Sequence, residues 1–155
     1  MVRLSLSAKV LTALAGKRLA TAESLTGGGI GQAITSVSGA SAVFAGGVIS
    51  YTNEVKHKVL GVPVETLNTL GPVSAPVARA MAEGARQVIG ADVAVAVTGL
   101  AGPDGDEFGH PVGTVFIGYA DGHTALAREY HFEGDRAEVR EQTICEALKL
   151  ILEMN

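Results

Sequence analysis

Residues 92–98, Asp-Val-Ala-Val-Ala-Val-Thr, form an almost wholly apolar run. With Val93, Val95 and Val97 spaced by alanines, neither side of the segment is suited to water. Such a run reads as a central strand covered on both faces, and a sheet with two covered faces needs helices on each side. This one feature places the chain in the α/β class.

The remaining sequence supplies the covering elements. Leu6, Val10, Leu11 and Leu14 recur at helical spacing before Gly16, and residues 18–22 follow as a short strand. Thr26 ahead of Gly27, Gly28 and Gly29 is expected to cap a second helix with Ile30, Ala33, Ile34 and Val37 on its apolar side, stopped by Ser38-Gly39. Residues 44–51 read as a strand, and Thr52 or Asn53 caps a short helix that holds Lys56 in its first turn. Gly61 and Pro63 break that helix. Ser74 with Pro76 opens a longer one through Ile89, expected to be buried along Val77, Met81, Gly84 and Val88 and closed by Gly90. After the central strand, residues 99–112 form a loop of functional length. Two strands, 113–120 and 124–132, flank the turn signal Asp121-Gly122-His123 as an antiparallel hairpin. Asp135 with Glu138 makes a capping-box start for a last helix whose core stripe is Ile144, Ala147, Leu148 and Ile151. The expected order is α-β-α-β-α-α-β-β-β-α. It folds as a three-layer α/β/α sandwich with a mixed, mainly parallel sheet and a C-terminal antiparallel hairpin, one domain over 1–155.

Composition narrows the partners. Net charge is −4 with no block of Lys or Arg, so the basic stripe needed for a nucleic-acid backbone is missing. The stretch 4–14 is too short and too polar for a membrane span or a secretory signal core. A single cysteine, Cys145, cannot form an internal disulfide, which fits a cytoplasmic setting. Hydrophobic residues at 47% and charged ones at 18% fit a compact core, and 20 glycines, many of them clustered, point to tight turns and close backbone approaches.

Three segments carry candidate chemistry. Thr21-Ala-Glu-Ser-Leu-Thr-Gly-Gly-Gly29 lies between a strand and a helix, where Ser24 could attack a carbonyl and amides near Gly27 and Gly28 receive the oxyanion. An ordinary helix entry capped by Ser24 and Thr26 fits the same letters. Tyr51-Thr-Asn-Glu-Val-Lys56 sets a lysine where a helix dipole disfavours it, so Lys56 is either solvated or placed there for use as a base. At an ordinary pKa near 10.4 only about 0.04% of it would be neutral at pH 7, and lowering that value to about 8 takes roughly 3 kcal/mol of environment. Thr98-Gly-Leu-Ala-Gly-Pro-Asp-Gly-Asp106, running on to His110-Pro-Val-Gly-Thr114, sits at the end of the central strand, where open α/β sheets bind ligands. Its acids lack EF-hand spacing, and His57, His110, His123 and His131 form no ligand motif, so no metal is expected.

Together these segments, with Gly71-Pro-Val-Ser74, Pro111-Val-Gly-Thr114 and Gly134-Asp-Arg136, resemble the CinA C-terminal-domain family, in order and over most of the chain. Stand-alone members of that family are nicotinamide mononucleotide deamidases. The resemblance implies an α/β/α sandwich, no cofactor, and catalysis by Ser24, Tyr51 and Lys56. Where the family often has cysteine after the serine, this chain has Leu25, which excludes a thiol mechanism there; Cys145 is read as structural. Many relatives also carry an N-terminal nucleotide-processing domain, for which 155 residues leave no room. The expected reaction converts nicotinamide mononucleotide to nicotinate mononucleotide and ammonia through a serine acyl-enzyme, with Lys56 accepting the serine proton directly or through Tyr51. Substrate contacts are expected from Thr26, Gly27 and Gly28 and from Thr98, Gly99, Ala101 and Gly102. Arg136 and Arg140 are alternative phosphate partners. A homo-oligomer is expected, and a non-catalytic nucleotide-binding module or a hydrolase of another small amide stays open.

Overall fold

A computed structural model describes residues 2–155. Its elements run α1 (Val2–Ala13), β1 (Leu19–Glu23), α2 (Gly29–Thr35), a 3-10 turn (Ala40–Ala42), β2 (Phe44–Ile49), α3 (Asn53–Lys58), α4 (Val64–Leu70) and α5 (Ala75–Ile89). They continue with β3 (Val93–Gly99), β4 (Thr114–Ala120), β5 (Ala125–His131) and α6 (Arg136–Met154). The five strands lie in the order β2-β1-β3-β4-β5. β1 pairs in parallel with β2 and β3, and the β3–β4 and β4–β5 pairs are antiparallel. The expected mixed sheet is present, with the hairpin at residues 114–131. Four strands share one direction and only β4 opposes them, yet just half of the pairings are parallel, because that one reversed strand sits between two of the others.

Side-chain alternation on the central strands divides the core into two unlike halves. Val93, Val95 and Val97 of β3, with Val115, Ile117 and Tyr119 of β4, face the layer built from α1, α2 and α6. Ala20, Ala22, Ala94, Ala96 and Ala120 face the opposite layer, where Val77, Met81, Ala82 and Ala85 of α5 meet them. Large residues on one face and alanines on the other let α5 lie close against the sheet. Gly118 sets how close: a Cβ there would stand 2.2 Å from the Ala78 carbonyl oxygen of α5. The loop before α4 crosses α5 as tightly, since a Cβ at Gly84 would stand 2.0 Å from the Leu60 carbonyl oxygen.

Local sequence signals fix several ends. Ser74 Oγ accepts from Val77 N to start α5, Thr52 caps α3, and Asp135 with Glu138 completes both arms of the capping box on α6. Three expectations change. Thr26 is not the cap of α2, whose N-cap is Gly28 without any side-chain bond from that position. Val88 is 56% exposed, because the sheet-facing stripe of α5 runs through Ala82, Ala85 and Ile89 and leaves position 88 to one side of it. Residues 64–70 form a helix that the sequence pattern hides between Pro63 and Gly71, which start and stop it without a side-chain cap.

Gly118→Ala should therefore destabilise the fold by about 1–3 kcal/mol, the usual cost of overpacking. A urea titration reads the shift, and an unchanged midpoint would show that α5 can move outward freely.

Candidate active site

The carboxyl ends of the three strands that lie side by side, β2, β1 and β3, bring the sequence candidates together. Ser24 follows the last residue of β1, Tyr51 lies just beyond β2, and Thr98 and Gly99 close β3. They line one cleft of about 410 Å³, with Lys56, Ala101 and Arg136 also in its wall. Chain order reverses its direction of winding around β1, so the cleft lies at the switch of an open α/β sheet.

Lys56 is the unusual group. It is 1% exposed, and its Nζ lies 3.0 Å from Ser24 Oγ, 2.9 Å from the Ser50 carbonyl oxygen and 3.3 Å from that of Tyr51. Burial lowers its pKa from 10.5 to about 8. Lys56 falls in the last turn of α3 and not, as expected, in its first, so the helix dipole does not lower its pKa and desolvation is the cause of the shift. Two carbonyls leave a particular geometry for the neutral amine. Its two N–H bonds can point at Ser50 and Tyr51, which turns its lone pair toward the serine hydroxyl.

Tyr51 also lines this cleft. The residue is 59% exposed and its hydroxyl accepts from Arg136 Nη2 at 3.1 Å, while Arg136 Nη1 donates to the Gly102 carbonyl at 2.6 Å. Arg136 thus ties the tyrosine to the loop after β3 across the cleft mouth. Thr98 Oγ1 donates to the Pro72 carbonyl and holds that wall in place. Asp106, one of the loop's three acids, organises residues 99–112 from within. It accepts from the amides of Phe108 and His110 and pairs with His110 Nδ1 at 2.8 Å. Burial works against its ionisation, but these bonds prevail and hold its carboxyl below the ordinary value. Among the described residues, no three His, Cys, Asp or Glu side chains converge as a metal site. The Cys145 thiol, half-buried on α6, is pushed up by burial and then by Glu141, opposite to what a thiolate nucleophile requires.

The glycine segment divides from this cleft. Thr26, Gly27 and Gly28 line a separate hollow of about 470 Å³ together with Arg140. The reason is Glu23, which sequence reasoning passed over. Its carboxylate is 2% exposed and accepts from Thr26 Oγ1 at 2.5 Å, Ile30 N at 2.9 Å and Gly31 N at 3.1 Å. A protein carboxylate occupies the positive end of α2 that an oxyanion or a phosphate would otherwise use. Gly27 N donates to the Ser24 carbonyl, which also removes it as an oxyanion donor. The amide of Leu25, directly after the serine and in the cleft wall, takes its place as the candidate. An acid ending a fully buried strand was the available clue, since a buried carboxylate needs partners.

The chain matches the family model of the CinA C-terminal domain over residues 4–155. It belongs to the CinA C-terminal domain family. The nicotinamide-nucleotide amidohydrolase PncC of Pseudomonas putida is 46% identical over 137 residues, covering 88% of this chain and 86% of that protein. A CinA-like protein of Geobacter sulfurreducens is 51% identical over 133 residues, 86% of this chain but 32% of its own length. The chain therefore spans about a third of that relative. A competence/damage-inducible protein of Agrobacterium tumefaciens superposes with a TM-score of 0.96 at 38% identity, covering 100% of this chain and 96% of that one. The corresponding Klebsiella pneumoniae protein gives 0.95 at 36%, over 97% and 95%. These matches establish the α/β sandwich as the family's fold.

Two stability measurements test the site's construction. Glu23→Gln keeps the shape but gives up a carboxylate with three donors, and hydrogen bonds to charged groups are worth about 1.5–3 kcal/mol. It should lower stability by about 2 kcal/mol in urea; an unchanged midpoint would remove Glu23 as the anchor of α2. Lys56 carries the opposite sign. Because its folded pKa is depressed, the penalty for burying its charge is fully present below pH 8 and is relieved as pH rises from about 8 to 10.5. The stability of Lys56→Met relative to wild type should thus be highest near pH 7 and fall by on the order of 3 kcal/mol by pH 10.5. A pH-independent difference would mean that the lysine is not desolvated.

Proposed function

We propose that this chain is an amidohydrolase that hydrolyses the carboxamide of nicotinamide mononucleotide to nicotinate mononucleotide and ammonia. The observation that carries the reading is the buried Lys56 amine 3.0 Å from the Ser24 hydroxyl, a nucleophile and a base in contact at the floor of a cleft. Similarity to the Pseudomonas putida nicotinamide-nucleotide amidohydrolase, over nearly the whole of both chains, supports the substrate. A binding module has no use for a lysine whose charge is buried at a cost to stability.

In the proposed reaction Ser24 Oγ attacks the carboxamide carbon while neutral Lys56 takes its proton. The amide of Leu25 faces the developing oxyanion. Lys56 then returns the proton to the amide nitrogen, the C–N bond breaks, and ammonia leaves an acyl-serine. Water attacks that ester with Lys56 again as base, releasing the acid and restoring the hydroxyl. Tyr51 walls the cleft and Arg136, the arginine at its mouth, holds the substrate phosphate with Gly102 and the loop after β3. Leu100 and Ala101 supply apolar surface for the ring. The reaction written in this way uses no cofactor. No helix among the described residues is long and apolar enough to cross a membrane.

Ammonia release from nicotinamide mononucleotide should rise with pH through about 8 and level off above it, as the base loses its proton. Folded Ser24→Ala and Lys56→Arg should each lose about two orders of magnitude or more in turnover, since guanidinium does not become neutral at these pH values. Near-normal turnover in Lys56→Arg would remove the lysine as base, and nucleotide binding without any ammonia release in wild type would make the chain a binding module.

A further inference from the structure

The turn that carries Ser24, residues 24–28, belongs to neither β1 nor α2. Its inner side is fixed by Ser24 N on the Val97 carbonyl at 3.2 Å, by Gly27 N on the Ser24 carbonyl at 3.1 Å, and by the Glu23 carboxylate. Its outer side is held from α6, more than a hundred residues away in the chain. Arg140 Nε donates to the Leu25 carbonyl at 2.9 Å, and Arg140 Nη2 donates to the Thr26 carbonyl at 3.3 Å.

From this geometry we infer that Arg140 is a positioning residue for the nucleophile, an inference that rests on the serine mechanism proposed above. A planar fork on two successive carbonyls fixes two peptide planes at once. The first lies between Leu25 and Thr26, next to the plane that bears the Leu25 amide. Ser24 Oγ and the oxyanion donor are separated by that single backbone unit, so a small rotation of the turn misplaces both. Arg140 is not a substrate ligand in this arrangement. It lines the second hollow with Arg3, Gln32 and Glu141, while the wall of the Ser24 cleft contains Arg136 instead. Arg3 of that hollow is engaged by Glu141 and Gln32, which leaves Arg140 as the link between α6 and the turn. Anchored by the buried Val139 and Ile144 on either side, α6 offers a rigid mount for the fork.

The test uses the full chain, with Arg140→Lys and Arg140→Ala shown to be folded by thermal unfolding. For nicotinamide mononucleotide, kcat should fall about 10- to 100-fold with KM within about threefold, the loss expected when reacting groups are slightly misplaced. A lysine holds one carbonyl at a time, so the conservative variant should recover little. Methylguanidine added to Arg140→Ala should restore part of kcat, and the pH midpoint near 8 should stay, since Lys56 keeps its contacts. A second readout needs no substrate recognition: a small fluorophosphonate, from which the Ser24 oxygen displaces fluoride, should label both variants more slowly by a similar factor. Unchanged kcat and labelling would overturn the proposal, as would a raised KM with kcat intact, which would make Arg140 a substrate ligand, or a lost kcat that guanidinium does not restore. If wild type labels at Ser24 yet releases no ammonia from nicotinamide mononucleotide, the substrate reading fails and the labelling rates alone decide the role of Arg140. If wild type does not label at all, the positioning role falls together with the nucleophile.

Discussion

A lysine amine held out of water against a serine hydroxyl is the constraint around which the rest of this molecule is arranged. An ammonium group left without solvent must lose its proton or find acceptors, and Lys56 is given both options. Its pKa is down to about 8, and the carbonyls of Ser50 and Tyr51 lie within hydrogen-bond range. Those carbonyls are available because β2 ends at Ile49, which leaves the carbonyls of the next two residues outside the strand pairing. Ser50 is in turn fixed by its amide, which donates to the Glu23 carbonyl at 2.7 Å. The base, its carbonyl support and the residue before the nucleophile therefore form one connected backbone unit across β1 and β2.

Glu23 divides the anion-binding capacity of the strand-turn-helix unit. Had the start of α2 been open, the amides of Ile30 and Gly31 would offer an anion site beside Ser24. With the carboxylate seated there, the proposed reaction assigns the oxyanion to the amide at Leu25 and the substrate phosphate to the far side of the cleft, where Arg136 bridges Tyr51 and Gly102. The two arginines of α6, four residues apart, consequently face different work. Arg136 belongs to the Ser24 cleft and Arg140 to the hollow behind the turn that carries Ser24.

What could be read from sequence follows the range of each interaction. The apolar run of β3, the Ser74 cap and the Asp135 and Glu138 box act within a few residues, so their letters announce them. The line-up of Ser24, Tyr51 and Lys56 was legible through family resemblance, while spacing alone favoured an ordinary helix entry and a surface lysine. Glu23 reaches seven and eight residues ahead, beyond any local capping pattern, and Thr26 looked like the cap because it is the hydroxyl nearest the glycines. Helix α4 has no side-chain cap to declare it. The target of Arg140 lies 115 residues back in the chain, and only the docking of α6 on α2 and the sheet reveals it. The separation of one site into two hollows is likewise a property of packing, which residue spacing does not encode.

Because burial alone depresses the Lys56 pKa, the strength of the base depends on what fills the cleft. The proposed substrate acts on an amine that is already out of water through its charge, because the N-ribosylated pyridinium is itself cationic. A positive charge near Nζ disfavours the ammonium form, and a positive ring also makes the attached carboxamide carbon more electrophilic. The phosphate opposes the first effect, but its proposed place beside Arg136, at the exposed mouth, gives it a counter-charge and solvent screening that the buried amine lacks. On this argument the lysine is most fully a base when the ring of the nucleotide lies over it, and a neutral pyridine carboxamide without the ribose would forgo both the cationic contribution and the Arg136 contact. On the proposed reading, the cost in stability of burying Lys56 is matched to this ligand, which would account for a charge being kept in a place where an apolar side chain would serve the fold better.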